Sequence, residues 1–257
     1  MKRSMLWLLT VLLSGLLTLA VFLPASWLGV LVEQQSGGRL TLGDAQGTLW
    51  RGSAFIGGAP GNNSAVTPLL PGRFSWSISP LALLGMVEVQ LVNSVSLAQP
   101  LTVKGGWTHW QLSPSALLLP ATSLSGLGAP LNTIAPSGVM RLSWTTLELA
   151  LEQRQLTVQG RTTLEMREMA SRLSSVRPLG SYQLALDWQG QSAALTLAST
   201  SGPLLLSGKG SLDHGRLQFS GQAEAARGSE EALANLLNLL GQRKPNSERN
   251  IIALEFH

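Results

Sequence analysis

The sequence predicts a mainly β protein. We expect one N-terminal transmembrane helix, followed by a twisted antiparallel β-sheet or β-roll domain with short helical turns and one amphipathic helix near its C-terminal end. Residues 4–32 form 29 consecutive positions without a charge. After residue 38, apolar and polar residues alternate with the period of two that is typical of strands. Only 12% of the residues are charged and 27 are glycine, which suits strands and turns better than helices.

The first predicted element is a membrane-spanning helix over 5–23, with an apolar extension to residue 32. Its 19 residues suffice to cross roughly 30 Å of hydrocarbon at 1.5 Å per residue. A cleaved secretory signal is the alternative, but its apolar region would cover only about 7–15 residues and end at a small-x-small site. Leu23-Pro24-Ala25 places leucine where a small residue is needed, and the apolar stretch continues to Val32. We therefore expect the segment to be retained.

The charges that flank this segment predict its orientation. Lys2 and Arg3 precede it, whereas the first charges after it are Glu33 and Arg39. The positive-inside rule then places residues 1–4 in the cytoplasm and residues 33–257 on the other side of the membrane as a β-rich domain. The chain contains no cysteine, so this domain has no disulfide framework.

The second half of the domain predicts an antiparallel meander. Apolar residues alternate along a first strand between Tyr182 and Trp188. After the turn at Gln189–Ser192, Leu195 and Leu197 continue the pattern in the next strand. Pro203–Gly210 and Arg216–Ala223 read as the next two strands, because Gly-containing turns bound them. The residues that share the face of the first strand are Tyr182, Leu184, Leu186 and Trp188.

Upstream, the same alternation changes phase. The apolar positions Met140, Leu142 and Trp144 are followed, after Thr145-Thr146, by Leu147 and its alternate neighbours. A one-residue slip exchanges the two faces of a sheet, so this change requires a β-bulge or a twist that moves the strand between two cores.

A sequence repeat in the first half predicts two strand-to-helix corners. Trp76-x-Ile-Ser-Pro-x-Ala-Leu-Leu84 recurs 34 residues later as Trp110-x-Leu-Ser-Pro-x-Ala-Leu-Leu118. Serine caps a helical turn, and proline fits its first position. One interpretation is that both corners pack on a single core. The other is a hydrophobic groove for a lipid or partner, lined by Leu83, Leu84, Leu117 and Leu118.

The C-terminal region predicts one amphipathic helix and a last strand. Ser229 is the expected cap, and an apolar stripe from Leu233 to Leu240 ends before Gly241. We expect Ile251–Phe256 to form the final strand. The helix either packs over the sheet or docks to another protein, with Asn235 and Asn238 on its outer face. The Gly/Pro-rich loop around Asn62 is a further candidate docking surface.

Few residues are candidates for chemistry. The three histidines lack the spacing of a metal site, and no nucleophile elbow, phosphate-binding loop or dinucleotide fingerprint is present. The closest approach to a catalytic pair is Asp213-His214, which reads as an ordinary turn between strands. No basic patch interleaves with aromatics. We therefore expect no enzyme activity, no cofactor, no metal site and no nucleic-acid partner.

Four motifs carry a resemblance to a known family. In order, they are Leu23–Leu28 (LPASWL), Gly47–Gly52 (GTLWRG), Arg177–Tyr182 (RPLGSY) and Gly228–Gly241 (GSEEALANLLNLLG). Together the sequence resembles the type II secretion system protein N family over nearly its whole length. The resemblance implies a single-pass inner-membrane protein of a Gram-negative cell, with a periplasmic domain and other secretion subunits as partners.

The residues of these motifs and of the repeat are expected to be architectural. Trp50 can bury its ring while Arg51 turns to solvent, and Gly180 before Tyr182 permits a backbone that a side chain would hinder. Trp76 and Trp110 should end strands against the core.

Two functional hypotheses follow for the exported domain. In the first, it is a non-enzymatic assembly module that docks secretion subunits through sheet edges, loops or the C-terminal helix. In the second, it is a periplasmic protein that binds or transfers a lipid or other hydrophobic ligand in a curved β-sheet groove. The composition permits both, because leucine-rich strand faces form either a dry core or a binding surface.

Overall fold

The computed structural model describes residues 7, 11, 14–15, 18, 21–61, 65–128, 131–152, 155–240 and 251–256. Within these ranges the chain is dominated by a single 16-stranded sheet in which every pairing is antiparallel. The mainly β prediction is confirmed. The strands are β1 Leu40–Gly47, β2 Arg51–Gly58, β3 Thr67–Pro68, β4 Phe74–Ile78, β5 Val87–Val92, β6 Leu101–Gly105, β7 His109–Leu112, β8 Ser115–Pro120, β9 Ser137–Trp144, β10 Leu147–Glu152, β11 Gln155–Ala170, β12 Gly180–Gly190, β13 Ser192–Ser201, β14 Leu204–Asp213, β15 Arg216–Ala225 and β16 Ile252–Phe256.

Helices are few and short in the described part of the chain. They are α1 Ser26–Gln35, α2 Leu131–Ile134 and α3 Glu230–Leu240, with 3-10 turns at Pro80–Leu84 and Ala121–Leu127. The sheet follows the chain almost in sequence order, from β1 at one end to β16 at the other. The predicted meander is confirmed as β12–β13–β14–β15, and the predicted last strand is β16.

The phase change at Thr145-Thr146 is a bulge. Strands β9 and β10 both pair with the same long strand β11, with Trp144 opposite Thr162 and Glu148 opposite Gln159. The register therefore slips by one residue between them. The expectation of a β-bulge was correct, but the bulge keeps the apolar residues on one face of the sheet instead of moving them to a second core.

One face of the whole sheet is apolar. Residues directly opposite in antiparallel strands share a face, and the register places apolar residue against apolar residue from strand to strand. Apart from Asp44 and Glu168, which lie at register shifts, the charged residues of the described strands lie on the other face. Representative pairs on the apolar face are Leu42–Ile56, Trp76–Leu91, Val103–Leu112, Leu149–Val158 and Leu184–Leu197.

Two buried clusters cover parts of this apolar face. The first, which we call the helix-capped cluster, joins three leucines of α3 to the ends of β14, β15 and β16. The second, the loop-capped cluster, lies where β8 and the segment before β6 meet β4. The helix-capped cluster comprises Leu179, Leu204, Ala223, Leu233, Leu236, Leu237 and Ile252, and the loop-capped cluster comprises Leu70, Phe74 and Leu97.

The N-terminal segment is joined to the sheet by hydrogen bonds. The Ala25 N–H donates to the Gly47 carbonyl (3.1 Å), and the Leu49 N–H donates to the Leu23 carbonyl (2.7 Å). Ala25 is buried. These contacts form a turn between Val21 and α1, so the predicted apolar extension to residue 32 lies in the separate helix α1.

The transmembrane prediction over 5–23 was not supported. Among the described residues, no helix is both long enough and apolar enough to cross a membrane. Most positions of that segment lie outside the described residues.

Candidate functional site

The first copy of the repeat forms the predicted corner. The Ser79 hydroxyl accepts a hydrogen bond from the Leu81 N–H (3.3 Å), and Pro80 opens the 3-10 turn. Gly85 ends the turn at φ +86°, a conformation that favours glycine. Leu83 and Leu84, within the turn, are both largely exposed.

The second copy does not form a helical turn, so that prediction was wrong. The Ser113 hydroxyl accepts from the Thr102 N–H of the neighbouring strand (2.9 Å) and does not cap a helix. The following residues pair with β9 as strand β8 instead. Leu117 packs against the loop-capped cluster, whereas Leu118 is exposed on the opposite side of the strand. Sheet pairing with β9 overrides the local helix signal.

The four leucines therefore do not line one groove. Leu83 lies beside a cavity of about 630 Å³ between the N-terminal segment and the ends of β2, β4 and β5. Leu84, Leu117 and Leu118 are not among the residues that line it. The lining combines Val21, Trp50, Ile78 and Pro80 with the charged Arg51 and Glu88.

The C-terminal helix packs over the sheet, as one of its two interpretations predicted. Leu233 and Leu237 are fully buried, and Leu236 is nearly so. Its first turn carries Glu230 and Glu231, whose negative charge suits the positive end of the helix dipole. The Glu230 carboxylate also accepts a hydrogen bond from the Gly228 N–H (2.7 Å).

The outer side of α3, one of the predicted docking surfaces, is exposed. Asn235 and Asn238 are both exposed, and Leu239 beside them is 69% exposed. We call these three residues the outer helix face. The other predicted docking residue, Asn62, lies outside the described residues.

The predicted architectural residues lie in strands or their ends. Trp50 is only half-buried, and Arg51 is exposed. The Trp76 indole N–H donates to the Leu49 carbonyl (3.0 Å), and its ring lies over Gly52, where a Cβ would collide with it. Trp110 is half-buried opposite Leu149. Trp76 of β4 therefore holds the start of β2 through its hydrogen bond to Leu49 and its contact with Gly52.

Gly180 and Tyr182 form a close-packed corner beside Ser201 and Leu204. A Cβ at Gly180 would lie 2.8 Å from both the Ser201 carbonyl and the Tyr182 hydroxyl, so close approach, and not a positive φ, requires glycine here. The buried Tyr182 hydroxyl donates to the Leu204 carbonyl (3.2 Å). Burial raises the pKa of Tyr182 to about 12.

The Asp213-His214 pair lies in a surface turn between β14 and β15. The Ser192 hydroxyl donates to Asp213 Oδ1 (2.6 Å), and this bond, followed by His214, lowers the pKa of Asp213. His214 Nδ1 lies 2.9 Å from the same oxygen, and both side chains are exposed. His214 has φ +49°, which tight turns demand. These contacts are those of an ordinary surface turn between two strands.

Two structural features near the candidate sites were not predicted from the sequence. The first is the continuity of the apolar face across the sheet, which the parity of charged residues in successive strands already signals. The second is the turn at Phe22–Ala25, which Pro24 marks but which depends on contacts with Thr48, distant in sequence. The turn is evident only when the pairing of Pro24 with Thr48 is known.

Comparison with known proteins identifies the family. A family model described as type II secretion system (T2SS), protein N, matches residues 38–251, well over half of the chain. No curated protein and no solved structure gives a significant match. The matched region includes every strand from β1 to β15 and the helix α3. This chain therefore belongs to the type II secretion system protein N family.

Proposed function

We propose that this chain is a non-enzymatic accessory subunit of the bacterial type II secretion machinery. Residues 5–23 anchor it in the inner membrane with residues 1–4 in the cytoplasm, and residues 33–257 form a periplasmic β-domain that docks other subunits. Membership of the protein N family supports the accessory role. Separate observations support docking and anchoring.

The single observation that carries docking is the position of β16. In the described part of the chain, this last strand pairs with β15 on one side and with no strand on the other. An edge of this kind offers main-chain donors and acceptors to a partner strand. Ile252 of β16 and the leucines of α3 share the helix-capped cluster, so the outer helix face is held rigidly next to this edge.

The anchoring part is supported by the two sides of α1. Gly29 faces Leu42 of β1, where a Cβ would lie 3.7 Å from the leucine Cβ. Trp27, Val30 and Leu31 are more than half exposed on the other side. Tryptophan beside aliphatic residues, directly after an uncharged segment, is typical of a helix in a membrane interface. In the proposal, α1 rests on the periplasmic surface of the bilayer.

Site-specific photocrosslinking in living cells tests the docking. A photoreactive amino acid is placed at Asn235 or at Asn238, with Gln183, exposed on the middle of the sheet, as the matched control. We expect crosslinks to a secretion-system subunit from both helix positions and not from the control. Crosslinks of equal strength from all three positions, or none from the helix, would contradict docking through this surface.

A charge substitution makes the same test without a probe. Asn238→Glu should reduce recovery of secretion subunits with the full chain, whereas Gln183→Glu should leave it unchanged. Both positions are exposed, so neither substitution should disturb folding. Anchoring is tested separately. The full chain should stay with the membrane fraction after an alkaline wash, and its release would contradict the proposed anchor.

A further inference from the structure

Two neighbouring loops at one end of the sheet carry a group of exposed apolar side chains. The first loop joins β4 to β5 through the 3-10 turn at Pro80–Leu84, and the second joins β6 to β7. Because Val87 at the start of β5 pairs with Gly105 at the end of β6, the two loops lie side by side. We call their exposed apolar residues the apolar tips. They are Leu81, Leu83, Leu84, Met86 and Trp107.

The apolar tips form one surface, because the two loops are in contact. A Cβ at Gly85 of the first loop would collide with the Trp107 indole of the second, so the ring packs directly against this glycine. Leu84 is 74% exposed, and Trp107 is 66% exposed. Single exposed apolar residues are normal on a protein surface, but a contiguous group of them marks a surface that binds a protein or a membrane.

The two loops contain no charged residue, and charges begin directly behind them. Residues 79–86 and 105–108 are apolar residues, glycine, proline, serine and threonine only. In the strands just behind the loops, Lys104 and Glu88 are exposed and form an ion pair at 3.3 Å. An apolar end that includes a tryptophan, followed by charged side chains, matches the change from hydrocarbon to headgroups at a membrane interface.

Backbone hydrogen bonds join the first loop to the end of the proposed anchor. The Leu49 N–H donates to the Leu23 carbonyl (2.7 Å), and the next residue, Trp50, accepts at its carbonyl from the Ile78 N–H (2.7 Å). Ile78 ends β4, and the 3-10 turn begins two residues later. The chain that leaves the anchor is therefore connected, through two hydrogen bonds, to the strand that carries the first loop.

The cavity described above places the anchor and the first loop next to each other. Val21 and Leu83 both line this cavity of about 630 Å³. Val21 lies two residues before the end of the proposed span over 5–23, so it marks where the anchor leaves the hydrocarbon. A leucine that shares a cavity with Val21 lies at the surface of the same bilayer. This proximity favours a bilayer over a protein as the occupant of the apolar tips.

We infer that the apolar tips insert into the periplasmic surface of the inner-membrane bilayer. The inference rests on the proposed anchor over 5–23 and adds a second membrane contact, which the sheet itself makes. One helix suffices to retain the chain in the membrane, so the role of the second contact is to orient the domain. Strand β16 and the outer helix face lie at the opposite edge of the sheet, where the bound bilayer leaves them accessible to a partner.

Fluorescence quenching in vesicles tests this contact with the full chain. The chain has no cysteine, so Leu84→Cys and Met86→Cys each provide a single site for an environment-sensitive label. Val95→Cys is the control, because Val95 is 55% exposed in the loop between β5 and β6 at the other end of the same strands. The vesicles contain phosphatidylethanolamine, phosphatidylglycerol and a lipid that carries a nitroxide quencher just below its headgroup.

We expect the quencher to remove most of the emission of the label in Leu84→Cys and Met86→Cys and little of it in Val95→Cys. Unquenched emission in both loop variants, or equal quenching in all three variants, would overturn the inference.

A charge substitution distinguishes insertion from proximity to the bilayer. Trp107→Glu places a carboxylate in the apolar tips, and a carboxylate is strongly disfavoured in hydrocarbon. It should therefore restore most of the emission of the label in Leu84→Cys, whereas Val95→Glu should not. If Trp107→Glu does not fold, Leu81→Glu replaces it. Quenching that persists in the folded variant would mean that the loops lie near the bilayer without inserting, and it would overturn the inference.

The inference and the proposed anchor fail in different ways. Release of the full chain by the alkaline wash would contradict the anchor and the contact that rests on it. A chain that stays in the vesicles with unquenched loop labels would overturn the contact of the apolar tips alone. A protein that covered the loops instead would protect Leu84→Cys from a water-soluble maleimide in cells but leave its label unquenched in vesicles, and this result would also overturn the inference.

Discussion

The end of the sheet beneath α3 and the middle of the same sheet carry the same alternation of apolar residues but differ in burial. Under α3, Leu204, Ala223 and Ile252 are buried beneath three leucines of the helix. In the middle, Leu184 and Leu197 occupy equivalent alternate positions and are only half-buried, although Leu195 on the same face is buried. The helix α3 covers Leu204, Ala223 and Ile252, whereas Leu184 and Leu197 belong to neither buried cluster. The strands themselves are alike.

The same alternation of apolar residues therefore has different consequences for stability at the two places. An apolar face that a helix covers contributes stability through buried area, at roughly 25 cal/mol per Å². An apolar face left partly open contributes less to stability and remains available for a ligand. Substitutions should therefore affect unfolding at the capped end much more than in the middle.

The largest expected effect is at the capped end. Leu237→Ala removes a fully buried side chain and should lower the free energy of unfolding by about 2–5 kcal/mol. Leu197→Ala, in the middle, should cost about 1 kcal/mol. Thermal or urea unfolding of the full chain, followed by tryptophan fluorescence, measures both. The exposed Leu239→Ala is the control, and equal losses for Leu237 and Leu197 would break the comparison.

The next effect is expected at Gly208, which lies under the Phe219 ring in the middle of the sheet. In Gly208→Ala, the new methyl group would overlap the Phe219 ring and lie 2.8 Å from the Gly221 Cα. Because the backbone atom cannot move freely, we expect a loss of about 1–3 kcal/mol in unfolding free energy. Ser207→Ala, on the opposite face of the same strand, should change it little. A neutral Gly208→Ala would show that the ring is loosely held.

A smaller effect is expected at Tyr182, at the border of the helix-capped cluster. Tyr182→Phe removes the hydrogen bond to the Leu204 carbonyl and should cost about 1 kcal/mol. The raised pKa also predicts a pH dependence. The contribution of the neutral phenol is fully present below its ordinary pKa of 10 and is lost as pH rises towards about 12.

Unfolding measured from pH 9 to pH 12 checks this expectation. The difference in stability between the wild-type chain and Tyr182→Phe should shrink as pH rises through that range. A difference that stays constant with pH would show that the phenol is not desolvated in the folded protein.

The smallest effect belongs to the polar face of the middle region. Arg161 and Asp187 form an exposed ion pair across β11 and β12 at 2.5 Å. Hydrogen bonding to Asp187 raises the pKa of Arg161, but solvent and salt screen an exposed pair. Asp187→Asn should leave the unfolding midpoint nearly unchanged in physiological salt. A large shift of the midpoint would mean that the exposed Arg161–Asp187 ion pair contributes substantially to the free energy of unfolding.

Much of the fold follows from local pattern. The alternation around Tyr182 predicts the meander, and the leucine stripe of α3 predicts a helix that packs by one side. The second copy of the repeat shows the limit of such reasoning. Its Ser-Pro signal equals that of the first copy, yet β9 lies beside it and Ser113 bonds to Thr102 instead of capping a helix. Tertiary pairing outweighs a capping preference of about 1 kcal/mol.

The candidate sites were less predictable than the fold. Asn235 and Asn238 follow from helical periodicity alone, because the buried stripe determines which side of α3 faces outward. The four leucines proposed for a groove lie in different tertiary surroundings, because the two similar short motifs pair differently in the sheet. Leu184, Leu186, Trp188 and Leu197 were already recognised as strand positions, but only the register showed which of them lie side by side across neighbouring strands.

The sequence by itself determined the class of the protein: a β-rich domain of alternating strands after an uncharged segment, with one amphipathic helix and the motifs of its family. These features depend on residues close in the chain, so local periodicity encodes them. The tertiary structure alone decided which parts of the continuous apolar face are covered and where the N-terminal segment joins the sheet. Both depend on contacts between residues far apart in sequence, such as Leu23 with Leu49 and Leu237 with the far end of the sheet, which no local pattern specifies.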